Sequence, residues 1–259
     1  MELTTAWVKY VNRLSAIDKA ATDAVGQFLT DFNQIGGSSF DYGNPKHMQA
    51  LINYAYGVST TYGEAAAALA CEMYDAVGLE SGMFLEPAIP ANPADPKDVV
   101  SEIVNAAGTR NDNIVSARVG RMVKKCGVDT VVQNAKRDGA EVAWVPRGDT
   151  CAFCITLASR GWQDANYYVE HIHSNCDCTL ATRFNNKTSI KGYDPRKYED
   201  MYYGADLDGA KPTSKNRINA MRREFYAKNK DEINANKRMN YAERKKRLNS
   251  SQTEETNVN

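Results

Sequence analysis

Long apolar runs are missing from this 259-residue chain, and nothing in it approaches the roughly eighteen consecutive apolar residues of a membrane-spanning helix. It opens MELTTAWVKY, with neither the basic n-region nor the apolar h-region of a secretory leader. Both absences lead us to expect a protein made and kept in a cytoplasm-like compartment, with no membrane partner. Histidine is scarce: there are three, and none follows His173. The His-Glu-x-x-His pattern of zinc proteases is absent. Net charge is absent too, since 32 Lys and Arg balance 32 Asp and Glu. The six cysteines are spaced too unevenly for the disulfide framework of a small secreted domain.

What cysteine and histidine there is falls together. The thirty residues Asp149–Cys178 hold four of the six cysteines and two of the three histidines. They read Cys151-x-x-Cys154, then His173-x-x-Cys176-x-Cys178, with His171 just ahead. A two-residue spacing lets both side chains of a tight turn reach one ion, and a second cluster from later in the chain closes a tetrahedron. In a reducing compartment this predicts one structural zinc ion. Catalytic zinc keeps three protein ligands and an open position, whereas here soft ligands exceed the places available. We expect Cys151, Cys154, His173 and Cys176 to be ligands, with Cys178 as substitute for Cys176. A zinc deaminase needs His-x-Glu ahead of Pro-Cys-x-x-Cys, and here the order is reversed, with Thr150 in the proline's place. Thioredoxin-like chemistry would leave the downstream ligands without a purpose. Glu170-His171 beside a zinc cluster leaves an HNH-type nuclease as an alternative, although its later ligands are missing. His47, on a helix without a partner, reads as an ordinary satisfied histidine. The chain is therefore expected not to be an enzyme.

Periodicity predicts a mainly helical α+β protein. Trp7, Val11, Leu14, Ile17, Ala21, Val25, Phe28 and Phe32 make one apolar stripe over about 4–34. Asn44-Pro45 is a helix start, and a second helix follows to about residue 78, with a bend expected at Gly57 and Gly63. These two form a helical hairpin over 1–83. Cys71 reads as a small core residue. Pro87, Pro90, Pro93 and Pro96 make 84–97 an extended, polyproline-like strap or linker. A third helical region is expected over 97–126, broken near 108–111 and closed by Cys126-Gly127, with a helix or strand after it over 128–137. Residues 140–146 read as a strand, a helix should follow Cys154, and 167–173 and 179–184 are candidate strands pairing across the Cys176-Asp177-Cys178 turn. A short helix should run from about 195 to 203. Residues 98–205 thus form a helical module with a zinc knuckle and a little sheet.

The zero net charge hides an asymmetry. Residues 211–249 carry thirteen basic and four acidic side chains, a net of +9. Within a helical extension over 206–249, Arg222–Asn234 aligns with Lys237–Asn249 at an offset of fifteen residues, close to four helical turns. The two copies would then present much the same face, and Arg222, Arg223, Lys237, Arg238, Arg244, Lys245, Lys246 and Arg247 could meet nucleic-acid phosphates or simply be solvated. Residues 250–259 read as a disordered tail.

Val145-Pro-Arg-Gly-Asp-Thr-Cys-Ala-Phe-Cys154, Leu157-Ala-Ser-Arg-Gly161 and His173-x-x-Cys176-Asp-Cys178 resemble the phage minor head proteins related to the Mu F protein, in the branch found in phages of Gram-positive hosts. Glu72-Met-Tyr-Asp75 and Tyr193-Asp-Pro195 with Tyr198 are similar as well, so the resemblance covers roughly residues 1–205. It implies a helical N-terminal half joined to a zinc-knuckle-like head module. It further implies a virion protein, assembled in the host cytoplasm, inside the capsid or at its portal vertex. Its partners would be the portal or major capsid protein, and its role to aid head assembly and DNA packaging or delivery. Where relatives carry His-Pro before the last cysteines, this chain has His173-Ser174-Asn175. No effector domain is expected, and packaged duplex DNA becomes a partner for the basic extension. The alternative is a zinc-braced nucleic-acid-binding protein or nuclease.

Overall fold

The structure, a computed structural model, describes residues 6–35, 39–147, 151–168, 172, 178–186, 189–190 and 192–203. These form one compact unit. Six α-helices and a three-stranded antiparallel sheet build it among the described residues, so the fold is α+β and mainly α. The basic extension, with the helix expected over 206–249, and the tail after it lie outside the described residues.

Helix α1 (Ala6–Ile35) buries Trp7, Tyr10, Val11, Leu14, Ala21, Val25 and Leu29 along one stripe. Helix α2 (Pro45–Glu80) starts where its cap predicts: the Asn44 side chain accepts from the Lys46 N–H at 2.9 Å, and Pro45 takes the first turn. It runs through Gly57 and Gly63 as one helix and ends on Ser81 and Gly82, the latter at φ +72°. Cys71 is half-buried on α2, outside the core.

Helix α3 (Pro96–Ala107) is capped by Asp95, and α4 (Asp112–Asp138) by Asn111, whose side chain accepts from the Asn113 N–H at 3.0 Å. Residues 108–111 therefore break the chain as the sequence predicts. Cys126-Gly127 does not: α4 continues to Asp138 and closes on Gly139 in the left-handed region. Gly127 lies at a helix crossing, where an added Cβ would stand 3.1 Å from the Tyr10 hydroxyl and 3.3 Å from the Ala66 carbonyl oxygen. Its missing side chain permits close approach, which outweighs roughly 1 kcal/mol of lost helix propensity. Helix α4 packs on α1, α2 and α3, and its Val115, Val119, Val123, Val128 and Val131 are fully buried.

The proline-rich stretch lies along α4. Asn134 grips it from both sides of one residue: its Oδ1 accepts from the Ile89 N–H at 2.9 Å and its Nδ2 donates to the Ile89 carbonyl at 2.8 Å. Thr130 Oγ1 accepts from the Ala91 N–H, and Asp75 Oδ1 from the Ala88 N–H, both at 2.9 Å. Arg137 donates to the carbonyls of Glu86 and Pro87 at 2.8 and 3.1 Å. With no ladder of its own, a polyproline-like segment leaves its backbone groups to side chains or water, and here α4 supplies much of what is needed.

Strand β1 (Glu141–Val145) is central, between β2 (Gln163–Asp164) and β3 (Thr179–Arg183). Val142 to Val145 are buried without alternation, as expected for a strand covered on both faces. The strand foreseen over 179–184 is present. The one foreseen over 167–173 is not seen as such: Tyr167 ends a short 3-10 turn, Ala165–Tyr167, and residues 169–171 and 173 lie outside the described residues. The Asp164 side chain accepts from the Asn166 N–H at 2.8 Å, which turns the chain out of the sheet after β2. Both outer strands thus pair with β1, not with each other.

Candidate metal centre

The register of the sheet sets the end of β1, which leads toward Cys151, beside the start of β3, which follows Cys178. Val145, the last residue of β1, pairs with Thr179, the first of β3. Chain leaving β1 toward Cys151 and chain arriving at β3 from Cys178 therefore lie at the same end of two neighbouring strands. Paired residues across antiparallel strands sit about 5 Å apart at Cα, so a sequence separation of more than thirty residues collapses at this edge.

Cys151 begins helix α5 (Ala152–Ser159), three residues earlier than the sequence suggests. Its backbone is extended (φ −70°, ψ 158°), and its Sγ accepts from the Cys154 N–H at 3.4 Å. The sulfur thus does what a serine or aspartate oxygen does at an N-cap, which is why the helix starts at the first cysteine. A first cysteine at the cap, with the second one turn on, is a geometry that suits a soft-metal ligand pair. Cys154 is 1% exposed and Cys178 is 3% exposed, while Cys151 is half-buried. None of the described cysteines forms a disulfide.

Helix α6 (Pro195–Tyr203) covers this edge. The Tyr193 hydroxyl, just before it, donates to the Ala158 carbonyl at 2.9 Å. Burial raises the Tyr198 phenol, and the adjacent Cys178 adds to the effect. Gly161, at φ +68°, packs beneath Pro195. Arg183 pairs with Glu141 at 2.6 Å across β1 and β3, and its guanidinium stacks over the Trp162 ring at 4.8 Å.

Of the five expected ligands, Cys151, Cys154 and Cys178 are described: Cys151 and Cys154 lie on the first turn of α5, and Cys178 directly precedes β3. His173 and Cys176, and the spare His171, lie outside the described residues, and among the described residues alone no set of three or more His, Cys, Asp or Glu forms a metal-holding group. The basic residues Arg222, Arg223, Lys237, Arg238, Arg244, Lys245, Lys246 and Arg247 lie outside them as well. Tyr198 beside Cys178 has no signal in the cysteine spacing. His47 is satisfied as foreseen: its Nδ1 accepts from the Asp41 N–H at 3.1 Å, and its ring meets Phe32 edge-on at 4.6 Å. No helix among the described residues is long and apolar enough to cross a membrane.

A family model described as VG15 protein matches residues 1–205. No curated protein and no solved structure matches the chain.

Proposed function

The chain belongs to the VG15 protein family, and on that premise we propose that it is a structural minor head protein of a phage, related to the Mu F-like branch and fastened by one zinc ion. Family membership points to a phage protein. The finer reading draws on the motif resemblance, whose span of roughly 1–205 coincides with the matched residues. The observation that supports the zinc is the first cysteine pair, in which Cys151 caps α5 and its Sγ accepts from the Cys154 N–H at 3.4 Å, so that both thiols belong to one helical turn. Cys151, Cys154, His173 and Cys176, with Cys178 as substitute, would hold the ion. It would supply folding free energy and no chemistry, as structural zinc does in small modules.

In this reading the protein has no catalytic residue. It works inside the capsid or at the portal vertex, and its partners are the portal or major capsid protein. The +9 extension neutralises packaged duplex DNA without reading its bases. Mass spectrometry of purified phage particles tests this. The chain should be present in few copies, and particles lacking it should package or deliver less DNA. Its absence from particles, or metal-dependent hydrolysis of DNA by the purified chain, would overturn the reading. The DNA contact has its own test: a 211–259 peptide should be held on duplex DNA and released steeply as salt rises, and salt-independent or absent retention would remove it.

A further inference from the structure

The strap over 84–95 has a face that the fold leaves unused. Leu85, Ala88, Ala91 and Ala94 recur every third residue and are half-buried, the repeat of a polyproline II helix lying on the body. The same repeat sends Phe84, Pro87 and Pro90 outward together, with Ile89 beside them. Phe84 is 103% exposed and Ile89 59% exposed. The ridge is nevertheless held firmly, through Asp75, Thr130, Asn134 and Arg137. Those bonds engage the carbonyls of Glu86, Pro87 and Ile89, while those of Ala88 and Pro90 accept no hydrogen bond within the described residues.

We propose that the ridge Phe84–Pro90 is a docking surface for a partner protein whose groove is lined with aromatic rings. Three features name that occupant. Proline rings repeating at three residues present flat, rigid apolar faces on which aromatic side chains stack. The unused carbonyls of Ala88 and Pro90 are acceptors for an indole N–H or tyrosine hydroxyl on the groove wall. The body already holds the segment extended, so the ordering cost of binding a free proline-rich peptide is met in advance. From Phe84 to Pro90, six steps of about 3.1 Å span about 19 Å. This inference is independent of the capsid reading.

The test places p-benzoylphenylalanine at position 84 of the full chain, irradiates it in extracts of the cells that make the protein, and sequences the cross-linked partner peptide. The partner is then purified and its affinity measured for the wild type, for Phe84→Ser, and for Pro87→Ala with Pro90→Ala. We expect cross-links within a cluster of Trp and Tyr residues. Phe84→Ser should weaken binding about 30-fold, as loss of an aromatic anchor does, with the thermal midpoint unchanged because the side chain touches nothing. The proline pair should weaken binding several-fold. Cross-links to a second copy of this chain, cross-links to a surface without aromatic residues, no cross-link at all, or equal affinity of Phe84→Ser and wild type would each overturn the proposal.

Discussion

Replacing Asn134 with alanine should cost more than any exposed change in the molecule. The residue is 1% exposed and binds the strap with both ends of its amide. Alanine removes the acceptor of the Ile89 N–H and one of two donors to the Ile89 carbonyl; Gln133 Nε2, at 2.5 Å, remains for the latter. One bond is therefore lost outright and one backbone donor is left unsatisfied, at about 1–3 kcal/mol, and the shared carbonyl adds about 0.5–1 kcal/mol. We expect a total of about 2–3 kcal/mol. For a domain of this size that lowers the thermal midpoint by about 5–10 °C. Urea unfolding would give the free energy, and amide exchange would localise it: Ile89, whose N–H loses its acceptor, should lose protection first and Ala91 next, while Ala88 stays held by Asp75. A loss under about 0.5 kcal/mol, or unchanged exchange at Ile89, would mean that the strap is not held by this clamp.

Gly120→Ala should also destabilise, although alanine is the better helix former. An added Cβ at position 120 would collide with the Asp18 carboxylate and the Thr22 hydroxyl on α1, and Asp18 is fixed by Lys124 at 3.1 Å. Overpacking of this kind costs about 1–3 kcal/mol, so equal or higher stability in calorimetry would contradict the close α1–α4 approach. Asp138 gives a pH signature. Its carboxylate accepts from Arg137 and, at 2.9 Å, from the Tyr74 hydroxyl. These bonds hold it below the usual carboxylate range, Arg137 first. Its contribution is full above the unfolded value of about 3.9 and is lost as pH falls through the lower folded value. Asp138→Asn should therefore flatten the acid limb of the stability curve below about pH 4; parallel curves would refute the assignment.

The helices were legible because their signals are local. The stripe of α1, the Asn44-Pro45 start and the 108–111 break each depend on residues within a turn or two. Gly127 was misread for the complementary reason: whether a glycine ends a helix or admits a neighbour depends on Tyr10 and Ala66, both remote in sequence. The strap was recognisable from its prolines, but its seat was not, since Asn134 is an unremarkable polar residue until Ile89 stands opposite. The cysteine cluster was plain from spacing alone. The sheet beside it was only half legible, because the pairing partner of β3 proved to be β1, a contact more than thirty residues away in sequence.

Native mass spectrometry of the purified chain, paired with metal analysis, reaches the zinc fastener most directly. The account predicts the mass of one chain plus one zinc ion. Chelation, or Cys151→Ser with Cys154→Ser, should melt the α5–β3 edge while α1, α2 and α4 stay folded. A chain carrying well under one zinc that is as stable as the metal-loaded form, or full stability in the double variant, would contradict it.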